Sequence, residues 1–169
     1  MKSYLKKIDT NTKGNRCDVT PLFLNHKDLT SLVDDLTLDF KDPHINYVAC
    51  IDSLGFILGT AIAQKLGVGI IPIRKGGKLP VNTDSKTFCD YTGTIKSLEI
   101  RQDISISGMR VLIVDEWIET GAQVSAAIEL IEDKGAVVVG VATINIDENE
   151  RTQQIISKYK VKSVWKNMK

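Results

Sequence analysis

The segment from residue 110 to residue 123 constrains the fold of this chain more than any other part of the sequence. It begins with a nearly continuous apolar run, 110–114, that predicts a buried β-strand. Two adjacent carboxylates, Asp115 and Glu116, follow directly, and a short turn leads to Gly121, where we expect a helix to begin. Free N–H groups at a helix N-terminus bind phosphate, and carboxylates accept hydrogen bonds from hydroxyls. The segment therefore suits a ribose 5-phosphate.

Strands and helices alternate along the chain, and this alternation predicts the fold class. Apolar runs and short alternating stretches predict strands at 47–51, 70–73, 87–91, 96–101, 110–114, 137–144 and 161–165. Helical spacing and capping residues predict helices at 26–40, 55–66, 121–134 and 148–158, with a polar loop from residue 76 to 84. We expect one α/β domain over 1–169, with a mainly parallel twisted sheet flanked by helices. Ligands of such sheets lie beyond the carboxyl ends of the strands.

Composition excludes several classes of protein. The chain has 169 residues, enough for one domain, and a formal net charge of +1, which gives no sign of a nucleic-acid or membrane partner. Residues 1–10 carry lysines but no apolar run, unlike a secretory signal. The most apolar stretch, 136–146, is too short to span a bilayer. These features favour a cytoplasmic protein.

Cysteine and histidine give no sign of a structural metal or of a disulfide framework. Cys17, Cys50 and Cys89 form no C-x-x-C pair, and their odd number fits a reducing compartment. His26 and His44 are isolated in the sequence, so no zinc site is indicated and no protein metal ligand is predicted.

Several segments, in order, resemble the type I phosphoribosyltransferases, and within them the enzymes that act on adenine. The matching segments are 18–22, 52–56, 73–80, 98–100 and 115–123. The resemblance implies transfer of 5-phosphoribose from 5-phosphoribosyl 1-pyrophosphate to a purine base, with adenine the first candidate. It also implies Mg²⁺ bound through the substrate, a transition state like an oxocarbenium ion, and a homodimer; we expect the first helices and the strand-end loops to form its interface.

The resemblance also assigns roles to individual residues. Asp115 and Glu116 would hold the ribose hydroxyls and favour the positive charge on the ring. The residues expected to cradle the 5-phosphate are Glu119, Thr120, Gly121, Ala122 and Gln123, with the Thr120 hydroxyl also capping the helix. Those expected to face the pyrophosphate are Asp52, Ser53, Leu54, Gly55, Arg74 and Lys75. The family often has a non-proline cis peptide in the 52–54 loop.

Two further segments would cover the site. Residues 76–95 would form a mobile lid that brings Lys78, Asp90 and Tyr91 over the ligand, with Asp90 exchanging a proton with the base. Residues 1–25 would form a partial hood, from which Arg16 could supply a cation to the phosphates. Asp90 could equally be a solvated loop residue, and Tyr91 could be lid packing.

Departures from the family pattern keep other functions open. Leu54 stands where the adenine enzymes usually carry an arginine, and the phosphate turn has Glu119, Ala122 and Gln123 where Ala, Gly and Thr are usual. These changes favour a rival hypothesis, a non-catalytic regulator of the same fold that binds phosphoribosyl pyrophosphate or a nucleotide. A third possibility is a hydrolase or transferase that uses another phosphoribosyl substrate. Trp117 is expected to pack against the sheet edge or a partner subunit.

Overall fold

A computed structural model describes residues 2–14, 16–90 and 92–166 of the chain. Within them the strands are β1 (Tyr47–Ile51), β2 (Gly69–Lys75), β3 (Thr83–Cys89), β4 (Ile95–Arg101), β5 (Arg110–Val114), β6 (Trp117–Ile118), β7 (Val137–Thr143), β8 (Asn145–Ile146) and β9 (Val161–Ser163). The main sheet has the order β3-β4-β2-β1-β5-β7-β9, and β6 pairs with β8 apart from it. Strands β2, β1, β5, β7 and β9 run parallel, whereas β4 is antiparallel to both β2 and β3. The predicted mainly parallel sheet is confirmed.

Helices cover both faces of the sheet because its central strands are apolar on both sides. The helices are α1 (His26–Thr37), α2 (Leu54–Leu66), α3 (Ala122–Asp133) and α4 (Glu150–Lys158). Along β1, Val48 and Cys50 pack into a core with α1, α2 and the N-terminal segment. Ala49 and Ile51 point to the opposite face, into a second core with α3. The central strands are thus held from both sides, and their carboxyl ends form a firm base for a site.

Local chemistry explains where the helices begin and end. The side chain of Asn25 accepts hydrogen bonds from the backbone N–H groups of Lys27 and Asp28, which satisfies donors at the start of α1. Helix α2 ends at Gly67, whose φ of 70° is the left-handed cap conformation. Helix α1 ends at Thr37, three residues before the predicted end, and the strand boundaries of β1 and β5 match the prediction.

The segment predicted as a polar loop and two short strands is mostly a β-hairpin. Strand β3 begins at Thr83, within the predicted loop, because its residues pair with β4 all the way from Thr83–Arg101 to Cys89–Ile95. The hairpin also contacts α3, where Lys86 Nζ lies 2.8 Å from Asp133 Oδ2. These cross-strand and helix contacts give the polar residues partners that no local pattern reveals. The loop that remains before β3 is therefore shorter than predicted.

In the described part of the chain, no helix is both long and apolar enough to cross a membrane.

Candidate active site

A cavity of about 310 Å³ lies at the carboxyl edge of the parallel strands. It is bounded by the loops after β1 and β5, by the tip of the β3–β4 hairpin and by the N-terminal segment. Its described lining residues are Arg16, Asp52, Ser53, Leu54, Lys75, Phe88, Asp90, Lys96, Asp115, Glu116, Trp117, Ile118, Glu119, Thr120, Gly121, Gln123 and Val124. Most residues singled out in the sequence therefore lie around one space. Gly55, Arg74, Lys78 and Ala122 are not among the described lining residues.

Strand β5 delivers its two carboxylates to the floor of the cavity. Asp115 and Glu116 are only 4% and 5% exposed. Asp115 Oδ1 accepts the N–H of Glu116 at 2.9 Å, and its Oδ2 accepts Nε2 of Gln123 at 3.3 Å. Glu116 forms an ion pair with Arg16 of the N-terminal segment. Both acids are thus buried at the floor of the cavity, where their carboxylate oxygens can accept hydrogen bonds.

Burial changes the protonation of Asp115. Loss of hydration raises its pKa to about 8, against the opposing charges of Arg16 and Lys75 and the hydrogen bond from Gln123. Without a ligand, the side chain is therefore mostly protonated at neutral pH. A ligand that donates hydrogen bonds or carries positive charge would favour the ionised form.

The turn between β5 and α3 combines a helix N-terminus with a glycine that the backbone requires. Gly121 has a φ of 79°, and an added Cβ would lie 3.2 Å from side-chain atoms of α4. The hydroxyl of Thr120 accepts the N–H of Ala122 at 3.3 Å, but the N-cap position belongs to Gly121, so Thr120 is not the helix cap that the sequence predicted. Ala122 is buried behind the turn. Thr120, Gly121 and Gln123 line the cavity at the start of α3, and a helix N-terminus can bind an anion.

Helix α4 holds the turn from behind through Asn149. The Nδ2 of Asn149 donates to the carbonyl oxygen of Glu119 at 2.8 Å. The Oδ1 of the same side chain accepts the N–H of Thr152 at 3.1 Å and caps α4. One side chain therefore fixes both the phosphate turn and the helix that supports it.

Glu119 is a half-buried acid beside the turn. Burial raises its pKa, as do the charges of Asp147 and Asp90, while Arg16 opposes the rise. Arg16 therefore acts on three acids of the cavity: it pairs with Glu116 and its charge lowers the pKa of Asp115 and Glu119. Glu119 does face the cavity and has a cation near it.

The loop between β1 and α2 forms the opposite end of the cavity. Its Asp52–Ser53 peptide bond is cis. Arg74 lies outside the cavity and donates from Nε to Asp52 Oδ2 at 3.3 Å, whereas Lys75 lines it. Gly55 lies behind the lining, where a Cβ would approach the Val114 carbonyl oxygen to 3.0 Å. Gly55 therefore permits close packing of α2 on β5 instead of lining the cavity.

The hairpin tip covers the cavity with Asp90. Asp90 Oδ1 accepts the N–H groups of Thr92 and Thr94 at 2.9 and 3.0 Å, and the carboxylate pairs with Lys96. These contacts, the Lys96 bond foremost, hold the pKa of Asp90 well below its usual range. The side chain is therefore ionised at neutral pH. Lys78 lies away from the cavity, and Tyr91 lies outside the described residues.

Five lining residues were missed by the sequence analysis as site residues. They are Phe88, Lys96, Trp117, Ile118 and Val124. Phe88 and Lys96 face each other across the β3–β4 hairpin, so counting the register back from its turn would have brought them together. Trp117 packs against Trp165 with ring centroids 5.6 Å apart, and its Nε1 finds no acceptor among the described residues. Trp117 thus has both the expected packing and a face on the cavity.

Comparison with known proteins gives one family. The model of the phosphoribosyl transferase domain matches residues 25–167. The adenine phosphoribosyltransferase of Cupriavidus necator is 42% identical over 132 residues, which cover 78% of this chain and 69% of the relative. That of a Cyanothece species is 44% identical over 127 residues, covering 75% and 74%.

Solved structures agree over nearly the whole chain. The adenine phosphoribosyltransferase of Rhodothermus marinus superposes with a TM-score of 0.87 at 30% identity, covering 97% of this chain and 96% of that one. The Saccharomyces cerevisiae enzyme, solved in complex with adenine and an imino-altritol bisphosphate, has a TM-score of 0.80 at 28% identity, with 95% and 98% covered. The similarity includes the hairpin and the N-terminal segment.

Proposed function

Because this chain belongs to the phosphoribosyltransferase family, we propose that it transfers 5-phosphoribose from 5-phosphoribosyl 1-pyrophosphate to adenine, giving AMP and pyrophosphate, a purine salvage reaction. The observation that carries the proposal is one cavity that joins the buried pair Asp115–Glu116 to the Thr120–Gly121 turn. The two carboxylates can accept hydrogen bonds from the ribose hydroxyls, and the turn can bind the 5-phosphate. Relatives that carry the name adenine phosphoribosyltransferase support adenine as the acceptor.

In the reaction, a nitrogen of the base forms a bond to C1 of the ribose while the bond from C1 to the pyrophosphate oxygen breaks. Positive charge develops on the ribose ring, and the carboxylates of Asp115 and Glu116 stabilise it electrostatically. The bonding electrons leave with pyrophosphate, towards the 52–54 loop and Lys75. The cavity walls hold the reacting atoms together and exclude water.

The proton that the base loses goes to Asp90 in this proposal. The lowered pKa keeps Asp90 ionised but also makes it a weak base, so loosening of its pair with Lys96 would raise the pKa towards the range that proton transfer needs. Lys96, paired with Asp90 on the same hairpin, keeps that acceptor anchored at the cavity. Asp90 and Lys96 both line the space into which the base must enter.

A Mg²⁺ ion bound through the substrate fits the charge of the cavity. Of the described lining residues, five carry carboxylates and three carry cationic groups, so a highly anionic ligand needs further positive charge. Mg²⁺ prefers oxygen ligands and few protein ones. Asp115 and Glu116 would be the carboxylates nearest the ion beside the ribose, and the ion would neutralise charge on the departing pyrophosphate.

We also propose that the protein is a homodimer and that it acts in the cytoplasm. Leu24, just before α1, is 86% exposed, and Ile57 of α2 is also an exposed apolar side chain. Both lie in the region where the first helices would meet a second copy. Light scattering would give twice the mass of the chain for the dimer.

Two lining residues favour a second candidate, a ligand-binding regulator without catalysis. Leu54 puts an apolar side chain at the pyrophosphate end, and Glu119 puts a carboxylate beside the phosphate turn. Both oppose tight binding of an anionic substrate. This candidate would bind the sugar phosphate and release no product.

The test is pyrophosphate release from 5-phosphoribosyl 1-pyrophosphate with Mg²⁺, across a panel of purine and pyrimidine bases and without a base. We expect release with adenine, an equal amount of AMP, and loss of activity in Glu116→Ala but not in Glu148→Gln, an exposed acid that pairs with Lys166. Release without a base would identify a hydrolase. Saturable binding without release would identify the regulator.

A further inference from the structure

Glu99 is a buried acid outside the cavity, in the middle of β4, with only 5% of its surface exposed. Its Oε2 accepts the N–H of Gly77 at 2.9 Å, and its Oε1 accepts those of Lys78 and Leu79, both at 2.7 Å. A buried carboxylate is costly unless such charge-assisted bonds satisfy it. The acid and the turn at 77–79 therefore depend on each other.

The backbone of this turn forms a concavity suited to an anion. Strand pairing ends where the N–H of Gly76 donates to the carbonyl oxygen of Ser97 at 2.9 Å. Gly77 then adopts a φ of +77°, which lets successive N–H groups converge on one point. In this chain the converging N–H groups hold an internal carboxylate. The glycine-rich turn is thus organised by Glu99, twenty or more positions away in the chain, through three hydrogen bonds of ordinary length.

Glu99 is also linked to the pyrophosphate end of the cavity. In the sheet, Glu99 lies directly opposite Arg74 on β2, so their side chains share one face. The N–H groups of the turn, that of Gly77 first, lower the pKa of Glu99, and the charge of Arg74 contributes. Arg74 in turn donates to Asp52 of the 52–54 loop, and the next residue, Lys75, lines the cavity.

We propose that Glu99 is a positioning residue for the pyrophosphate half of the substrate. By holding the 77–79 turn immediately after Lys75, it fixes where β2 ends and where the cations of Arg74 and Lys75 stand. Glu99 touches no reacting atom in this role. The inference rests on the proposed function only for its kinetic consequence, because the order of the turn can be measured without turnover.

Glu99→Gln is the sharpest substitution, since it keeps the volume of the side chain. The glutamine amide has one oxygen, which accepts hydrogen bonds, and one NH₂ group, which only donates. If the oxygen takes the place of Oε1, the N–H groups of Lys78 and Leu79 keep their acceptor, but the N–H of Gly77 then faces the NH₂ group. At least one hydrogen bond of the turn is lost in either orientation. Asp103→Asn is the matched control, because Asp103 is an acid just beyond β4 whose side chain is 67% exposed.

Gly77→Ala disturbs the same turn through its backbone instead of through its carboxylate acceptor. It keeps the proposal testable if Glu99→Gln fails to fold. An added Cβ at Gly77 would contact none of the described residues within 4 Å. Its effect therefore comes only from the left-handed backbone, which an alanine disfavours. The two variants should raise the same KM values. In the double variant the rise should be smaller than the two separate effects combined.

Two measurements decide the matter: steady-state kinetics in both directions, and hydrogen exchange of the peptide that covers 76–80. In Glu99→Gln we expect the KM for 5-phosphoribosyl pyrophosphate, and for pyrophosphate in reverse, to rise about tenfold, the size of one lost charge-assisted bond. The KM for adenine and kcat should stay near wild type, and the amides at 77–79 should exchange faster. Asp103→Asn should match wild type.

Three results would overturn the proposal. One is unchanged exchange at 77–79 in Glu99→Gln. Another is faster exchange with an unchanged KM for both phosphate substrates, which would make the acid merely structural. The third is an equal rise in the KM for adenine. A wild-type protein that transfers nothing to adenine would refute the proposed function, while the exchange data would still test whether Glu99 holds the turn.

Discussion

The two sides of the cavity are built in opposite ways. The ribose wall, formed by Asp115, Glu116, Thr120 and Gln123, rises from β5 and α3, and its two acids are almost fully buried. The hairpin wall, formed by Phe88, Asp90 and Lys96, stands on an edge hairpin, and the Lys96 side chain is half exposed. The ribose wall owes its geometry to the packed core, and the hairpin wall to its own hydrogen bonds.

This difference suggests a division of labour. Groups that must face a developing charge in one fixed geometry belong on rigid elements, because small displacements are costly to catalysis. Groups that must admit and cover a ligand belong on an element that can open at low cost. We therefore expect substitutions in the ribose wall to affect the chemical step more than the same substitutions in the hairpin wall.

The largest expected effect separates the two walls directly. Asp115→Asn removes a negative charge that stabilises the oxocarbenium-like state, so kcat/KM should fall about a thousandfold. Asp90→Asn removes a proton acceptor that water can partly replace, so the loss should be nearer a hundredfold. Initial-rate kinetics on both variants measure the difference. A larger loss at Asp90 than at Asp115 would contradict the comparison.

The next effect concerns stability and pH in the ligand-free protein. The pKa of Asp115 is raised from 3.8 to about 8, so its favourable contribution is complete below pH 4 and is lost as the pH rises towards 8. Asp115→Asn has no such loss. The melting temperature of the variant minus that of wild type should therefore increase by several degrees between about pH 4 and pH 8. Above pH 8 this difference should stay constant.

Calorimetry at matched ionic strength would measure this pair of curves. Curves that stay parallel from pH 4 to pH 8 would show that the carboxyl of Asp115 is not the buried, protonated group described above. A saturating sugar phosphate should reverse the order, because it stabilises wild type more.

The smallest effect concerns Arg16, which pairs with Glu116 and lowers the pKa of Asp115 and Glu119. Arg16→Gln should weaken binding of 5-phosphoribosyl pyrophosphate about tenfold, because it leaves acids of the cavity uncompensated. Glu119→Gln should tighten binding about threefold, since it removes a carboxylate beside the phosphate turn. Arg16→Gln should cost less in the Glu119→Gln background, and titration calorimetry on the four proteins measures this coupling.

Lys13→Gln is the control for this cycle, because Lys13 is an exposed cation of the same N-terminal segment. Strict additivity of the two substitutions would mean that Arg16 does not compensate Glu119. Tighter binding in Arg16→Gln would mean that its pair with Glu116 mainly competes with the ribose.

The ribose wall could be predicted because its residues follow one another in the chain. A buried strand, two acids, a turn and a helix start determine their own relative geometry, and β5 has the predicted bounds. Helix α3 begins one residue later than predicted, so Gly121 takes the N-cap position that was expected for Thr120. The parallel sheet with helices on both faces was likewise legible from alternation of apolar runs.

The hairpin wall could not be read in the same way. Phe88 and Lys96 meet only through the register of β3 and β4, and polar residues of β3 are held by partners on α3. Glu99 had no local signal beyond an acid between two apolar residues, because its partners lie in the loop between β2 and β3, some twenty positions earlier in the chain. Long-range register, which no single segment contains, decides these positions.

The two bonds of Asn149 have a consequence for substitution at this position. Capping α4 needs only an acceptor, which an aspartate would supply as well, but holding the Glu119 carbonyl needs a donor. Replacement of this one side chain by aspartate would therefore keep the acceptor that caps the helix and set a carboxylate against a carbonyl oxygen. The aspartate form would thus keep its helix cap and lose the bond that holds the turn between β5 and α3.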